Sequence, residues 1–237
     1  MTAQEVADTC DLLFVTTPDD VIKPTVDCIR WRPASGVVHC SGGTEVSALA
    51  KANQDGALTG GFHPMQTFGD PEVAARALPG SMITIEANGL LDEILKKLAL
   101  RLGCSINHLP AGQRARYHAA AGYASQYINV VLGEAVRIWQ SWGASEAAAL
   151  KALLPLVRGT LSSIESTGLA KGMPGPVSRG DAGTIETHLR SLAAIDLPTA
   201  LLYRDLCLRS VLLARAAGGI DTAKAHEIEL LLSRFNA

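Results

Sequence analysis

Up to residue 109 the apolar positions come in short blocks separated by polar, turn-rich stretches. Residues 11–17 (Asp11-Leu12-Leu13-Phe14-Val15-Thr16-Thr17) are a near-continuous apolar run, as expected of a strand covered on both faces. The run ends in Pro18-Asp19-Asp20, where an aspartate suits the cap of a helix over 21–29. A second strand is expected over 36–41, ending in Ser41-Gly42-Gly43 before a helix over 44–52. A third covers 57–62 and ends in His63-Pro64-Met65-Gln66-Thr67-Phe68. A short helix over 72–77, an alternating strand at Met82-Ile83-Thr84-Ile85-Glu86, an amphipathic helix over 90–102 and a strand over 105–109 follow. Strands alternating with helices at this spacing predict a mostly parallel α/β sheet.

Beyond Pro110 the period is helical throughout. The pattern therefore divides the chain into an α/β domain, 1–109, and an all-helical domain, 110–237. The stretch 110–143 has no proline after Pro110 and is rich in good helix formers, which predicts one helix between Pro110 and Gly143. At 1.5 Å per residue such a rod is about 45–50 Å long, so it either spans the domain or reaches into a second subunit. Ala115, Ala119, Gly122 and Ser125 recur along it at three- and four-residue steps, a stripe of small side chains that admits another helix closely. A homodimer built on the helical domain is the expectation. Further helices are predicted over 145–167 (Ser145 as cap, Gly168 as stop), 182–193 (Asp181 as cap), 198–218 and 222–235. The chain has no internal repeats and no low-complexity tracts.

At 237 residues and 48% apolar content the chain can fill the cores of one large or two small domains. Its 21 basic and 23 acidic residues are interspersed and give a net charge of −2, so no footprint for nucleic acid or an anionic membrane is present. The apolar run 147–157 is broken by Lys151 and Pro155, and no membrane span is expected. The opening Met1-Thr2-Ala3-Gln4-Glu5 lacks the basic flank of a signal peptide. Cys10, Cys28, Cys40, Cys104 and Cys207 are scattered without CxxC spacing, which fits reduced thiols in a cytoplasmic protein. No metal site is expected, because the six histidines lack HxxxH or HExxH spacing. There is no GxSxG elbow for a serine hydrolase.

Ligands of open parallel sheets bind beyond the carboxyl ends of the strands. Three such ends here are polar and turn-rich: Thr16-Thr17-Pro18-Asp19, His39-Cys40-Ser41-Gly42-Gly43 and Gly60-Gly61-Phe62-His63-Pro64. His39 reads as a packing residue, while His63 in its stiff turn reads equally as packing or chemistry. His118 reads either as a core histidine with a satisfied hydrogen bond or as a residue facing a cleft. Arg179-Gly180 precedes a helix start, where a fixed cation beside free N–H groups makes an anion site, or where Asp181 simply caps the helix. No GxGxxG turn follows a first strand.

Five motifs in order carry a family resemblance: Thr16-Thr17-Pro18-Asp19-Asp20, His39-Cys40-Ser41-Gly42, His63-Pro64-Met65-Gln66-Thr67-Phe68, Tyr117-His118-Ala119-Ala120-Ala121 and Gly175-Pro176-Val177-Ser178-Arg179-Gly180-Asp181. The chain resembles Rossmann-like proteins with a C-terminal helical domain of unknown function, in the 6-phosphogluconate dehydrogenase-like and pyrroline-5-carboxylate reductase-like group. Members of that family begin with a strand, a GxGxxG turn and a second strand that this sequence lacks, so Met1 falls just before the family's fourth strand. At Ala124-Ser125-Gln126-Tyr127 the family has Asn where this chain has Gln126.

The resemblance implies an oxidoreductase with a partial Rossmann-like sheet, a helical dimerisation domain and NADP over the strand ends. Thr16, Thr17, Pro18, Ser41 and Gly42 would line the nicotinamide-ribose half. His63, His118 and Asp181 would act at the reacting centre, with Tyr117, Gln126 and Arg179 binding substrate. A neutral imidazole, with an ordinary pKa near 6.5, suits proton exchange with a carbonyl or imine during hydride transfer. Without the phosphate cradle, dinucleotide binding is expected to be weakened or lost. The alternative is a non-catalytic dimeric binding or structural protein that retains the helical domain.

Overall fold

The computed structural model describes residues 2–235. The chain forms two compact units, Met1–Ile128 and Asn129–Ala237. The first opens with a helix that the apolar pattern did not signal, α1 (Ala3–Thr9). It is closed by a capping box in which Thr2 Oγ1 accepts from the Glu5 N–H and the Glu5 carboxylate accepts from the Thr2 N–H. There follow β1 (Leu12–Val15), α2 (Asp19–Asp27), β2 (Gly36–His39), a 3-10 turn (Val46–Leu49) running into α3 (Ala50–Gln54), and β3 (Leu58–Pro64). Then come α4 (Pro71–Ala77), β4 (Met82–Glu86), α5 (Gly89–Arg101), β5 (Ser105–His108) and α6 (Arg114–Ala124).

The five strands lie in the order β1-β2-β3-β4-β5, with β1 at an edge. β1, β2 and β3 are parallel, β4 runs antiparallel to β3, and β5 is parallel to β4. The mostly parallel expectation therefore holds, with one reversal between β3 and β4. Alternation sorts the side chains onto two faces. On one, Leu13, Val15 and Val37 pack with Ile22 and Val26 of α2 and with Leu49. On the other, Val38, Phe62, Ile83 and Ile85 pack with Leu91, Leu95 and Ala99 of α5. Each fully buried Leu or Ile in these clusters contributes about 1.5–3 kcal/mol.

The stretch 110–143 is not one helix. α6 ends at Ala124, and α7 (Gln126–Gln140) begins after Ser125, whose φ of −132° and ψ of −79° are non-helical. The Ser125 hydroxyl donates to the Ala121 carbonyl at 2.7 Å. A hydroxyl that takes the i−4 carbonyl competes with the helix ladder and bends it, and Gly122 one turn earlier offers little resistance. The change from strands to helices falls between His108 and Arg114, where the sequence put it. The compact units divide later, within α7, because α6 is fastened to the sheet.

The second unit continues from α7 through α8 (Glu146–Lys171), α9 (Pro176–Arg179), α10 (Ala182–Ala193), α11 (Leu197–Ala216) and α12 (Thr222–Arg234). Side-chain caps begin four of these helices: Ser145 accepts from Ala148 N–H, Asp181 from Thr184, Asp196 from Thr199 and Asp221 from Lys224. Ile185, Leu189, Val211, Ala214, Ile228 and Leu232 form its core. At Gly168, the expected stop, φ is 81° and α8 leaves helical geometry before resuming to Lys171. Among the described residues, α8 is the one helix long and apolar enough to cross a membrane by length and composition. It runs through the Pro155 and Lys151 that were expected to preclude a span.

Candidate functional site

Residues from four elements meet where β2 and β3 end. After β2 the chain turns at Ser41, whose hydroxyl donates to Asp19 Oδ2 of α2 at 2.8 Å and accepts from the N–H groups of Gly43 and Thr44 at 3.2 and 2.9 Å. The Ser41 carbonyl accepts from Arg114 Nη1 at 2.7 Å. Arg114 is the first residue of α6 and is 0% exposed. Its Nε donates to Glu86 Oε2 of β4 at 2.7 Å, a charge-assisted bond within a buried pair. The guanidinium lies in the space that any side chain at Gly61 would fill: a Cβ there would stand 1.8 Å from Nη2. Gly61 on β3 is thus the seat of the arginine, and the arginine fastens α6 over the sheet.

One turn further along α6, Tyr117 and His118 come over the same strand ends. The Tyr117 hydroxyl is 2.7 Å from His63 Nδ1, and the rings of His63 and His118 lie 6.0 Å apart, edge to face. Both imidazoles press on Gly42. A Cβ at that position would stand 2.5 Å from His118 Nδ1 and 2.7 Å from His63 Nε2, so only glycine leaves both rings in place. His63 and His118 also line a pocket of about 320 Å³ with Met65, Gln66, Ala121 and Ser125.

The electrostatics favour neutral imidazoles beneath this turn. Burial, then the neighbouring His118 and Arg114, pulls His63 down to about 4. His39 at the end of β2 is 0% exposed, with neither ring nitrogen hydrogen-bonded among the described residues. Burial, followed by the Arg114 charge, brings it down to about 4 as well. Burial also pushes Tyr117 up. Thr17 Oγ1, just past β1, is buried and has no hydrogen-bond partner among the described residues.

The structure thus brings Ser41, Gly42, His63, Tyr117 and His118 together, with His118 exposed and not a core histidine. The Ser41 hydroxyl is committed to Asp19 and to its own turn, which makes it a support of the site. Thr16 and Pro18 are exposed on either side of Thr17. Gln126 is the exposed first residue of α7, and its neighbour Ser125 lines the pocket instead. Arg179 and Asp181 belong to the second unit. There both Asp181 carboxylate oxygens are taken by Thr184, Oδ1 by its N–H at 3.0 Å and Oδ2 by its hydroxyl at 2.7 Å. Those bonds lower the Asp181 pKa, with Arg179 adding to the effect. Among the described residues no group of three or more His, Cys, Asp or Glu is arranged to hold a metal ion.

Sequence reasoning missed Arg114 and Glu86. A signal existed in the alternation of β4, where Thr84 and Glu86 form a polar face. That face reads as solvated, but it lies beneath α6.

No match was found among curated proteins. Similar solved structures include protein TM1727 from Thermotoga maritima, at 24% identity and a TM-score of 0.74 over 86% of this chain and 78% of that one. Also similar is the 1-pyrroline-5-carboxylate reductase of Streptococcus pyogenes, at 16% identity and a TM-score of 0.58 over 91% and 80%. A third is the Plasmodium falciparum pyrroline carboxylate reductase with NADP bound, at 12% identity and a TM-score of 0.56 over 90% and 81%. At these identities the likeness concerns fold: a Rossmann-like, mostly parallel sheet followed by a helical domain. Residues 81–210, more than half of the sequence and including Glu86, Arg114, Tyr117 and His118, match a family described as "Domain of unknown function (DUF2520)", and the chain belongs to that family.

Proposed function

We propose that this chain carries the nicotinamide and substrate end of an NADP-dependent reductase acting on a carbonyl or imine. The observation that carries the reading is the convergence of His63 Nε2 and His118 Nδ1 on Gly42, with both rings also lining a pocket at the strand ends. The likeness in fold to pyrroline carboxylate reductases, one with NADP bound, supports the choice of cofactor. Thr17 Oγ1 has unspent hydrogen-bonding capacity at the end of β1, as a site for a ribose hydroxyl or carboxamide requires. Thr16, Pro18 and Gly42 would complete that wall. Bound there, NADPH would supply the hydride. The chain's own part is to hold the acceptor atom near two imidazoles, with exposed His118 placed to exchange a proton with water.

Titration with NADPH and NADH, followed by cofactor fluorescence, tests this. Saturable binding with a preference for NADPH is expected, and Gly42→Ala should weaken it about tenfold, equivalent to about 1.4 kcal/mol. No saturable binding of either nucleotide would remove the reading, as would an unchanged affinity in a folded Gly42→Ala variant.

One observation favours a dimer, which the alternative non-catalytic reading shares. Tyr127, Ile128, Val130 and Val131 are exposed apolar side chains one to four positions apart on the single helix α7. An exposed apolar helix face of this kind marks an interaction site, and a second copy of the chain is the proposed occupant. Light scattering at micromolar concentration should give the mass of two chains, and Val131→Asp should halve it. A monomeric wild type would exclude the dimer.

A further inference from the structure

The reversal of β4 gives the sheet a second set of carboxyl ends. β1, β2 and β3 run towards Thr17, Ser41 and His63, whereas β4 and β5 run the other way and end together at Glu86 and His108. Ligands of open sheets collect beyond carboxyl ends. A pocket of about 460 Å³ lies at this second pair, within the roughly 300–1,000 Å³ usual for small-molecule sites. Glu86, Asn88 and His108 line it, with Thr59 near the start of β3 and the apolar Val46 and Leu109. None of these residues lines the pocket of His63 and His118.

The polar groups of this second pocket are held in place but not used up. Glu86 gives Oε2 to Arg114 Nε at 2.7 Å, and among the described residues its Oε1 has no partner, although the side chain is only 15% exposed. Asn88 is the N-cap of α5, yet its side chain makes no capping bond. Asparagine is among the best N-caps, so one that forgoes this bond and lines a pocket instead is free for a ligand. The Thr59 hydroxyl has no hydrogen-bond partner among the described residues, and His108 Nδ1 stands 3.7 Å from Asp92 Oδ1, beyond hydrogen-bond distance.

Charge selects the class of ligand. The Glu86 carboxylate is already matched by the fully buried Arg114, so it does not call for an ammonium ion. Its remaining lone pairs accept from neutral hydroxyls. Asn88, Thr59 and an uncharged His108 each both donate and accept, as a hydroxyl does. Val46 and Leu109 offer apolar surface to the C–H groups between the hydroxyls. We infer that the carboxyl ends of β4 and β5 form a second binding site, which takes a small neutral polyol whose hydroxyls donate to Glu86 and exchange hydrogen bonds with Asn88 and His108.

Proton–nitrogen NMR titration of the full, 15N-labelled chain tests this with xylitol, 1,5-pentanediol and 5-amino-1-pentanol, probes of equal chain length. Xylitol should shift the Asn88 side-chain amide and the backbone amides of Thr59, Ala87 and Leu109 saturably. It should also bind about tenfold more tightly than either other probe. Asn88 and His108 are exposed, so Asn88→Ala and His108→Ala should leave the chain folded and each weaken xylitol about fivefold. Saturable shifts that fail to appear at these residues, or that fall only around His63, overturn the inference. So does an unchanged xylitol affinity in both variants. Equal binding of 1,5-pentanediol would show an apolar cleft, and tighter binding of the aminoalcohol a site for an ammonium ion; either overturns the assignment. Nothing in this test involves NADPH, so failure of the reductase reading leaves the polyol site standing.

Discussion

Replacing Arg114 with methionine is expected to lower the stability of the chain by about 3–5 kcal/mol, the usual cost of removing one partner from a buried ion pair. The guanidinium is fully buried, and the side chain of its partner Glu86 is only 15% exposed, so the variant strands a carboxylate beneath α6. Methionine fills most of the space, which confines the loss to the charge and the bond to Ser41. Urea denaturation followed by fluorescence of Trp31, buried in the first unit, would record the change as a lower midpoint at constant slope. The double variant Arg114→Met with Glu86→Leu should recover most of the loss, since a buried pair replaced by apolar groups is often neutral. Gly61→Ala should mimic the single variant, because its Cβ and the guanidinium cannot coexist. A drop below about 1 kcal/mol in Arg114→Met, the range of an exposed pair, would mean that the pair contributes no more than surface charges do.

Acid is expected to unfold the chain through its depressed histidines. The folded pKa values of His39 and His63 are both about 4, against 6.5 for a free imidazole. Between those limits the unfolded chain binds more protons than the folded one, so stability falls as pH falls from about 6.5 towards 4, and these two groups contribute no slope above about pH 7. For His39, fully buried, the interval from 6.5 to about 4 corresponds to about 3 kcal/mol. His63 is part-exposed and should add less. Carboxylates contribute in the same window, so the informative quantity is a difference. The gap in urea midpoint between pH 7 and pH 4.5 should shrink markedly in His39→Leu, which also removes two unpaired buried nitrogens. Equal acid sensitivity in wild type and His39→Leu would show that His39 does not take up a proton on unfolding.

Local pattern was enough to find the five strands and most of the helices, though not α1, because strands and helices declare themselves over a few residues. Asp181 and Ser145 stand as caps where the sequence put them. The helix over 110–143 misled, since nothing in its composition distinguishes a serine that faces water from one that takes its own i−4 carbonyl. The site was legible in part. His63, His118, Tyr117 and Gly42 sit in turns or motifs that sequence alone can single out, and the structure gathers them. Arg114 carries no local mark, and the alternation that marks Glu86 reads as a solvated face. The two matter because β4 reverses against β3, which sets Glu86 opposite Gly61, and the direction of a strand is a property of the sheet and not of the strand.

The edge position of β1 has a further consequence, seen on the timescale of amide hydrogen exchange. The Asp11 carbonyl accepts from the Gly36 N–H, so the peptide groups of Leu13 and Val15 also point at β2, while those of Leu12 and Phe14 point away from the sheet. Neighbouring amides in one short strand therefore live in opposite regimes, shielded and solvent-labile in turn. A strand arriving alongside β1 would slow exchange at Leu12 and Phe14 and leave Leu13 and Val15 as they were. The edge is in this sense a two-residue gauge of its own occupancy, readable without knowing what has come to lie against it.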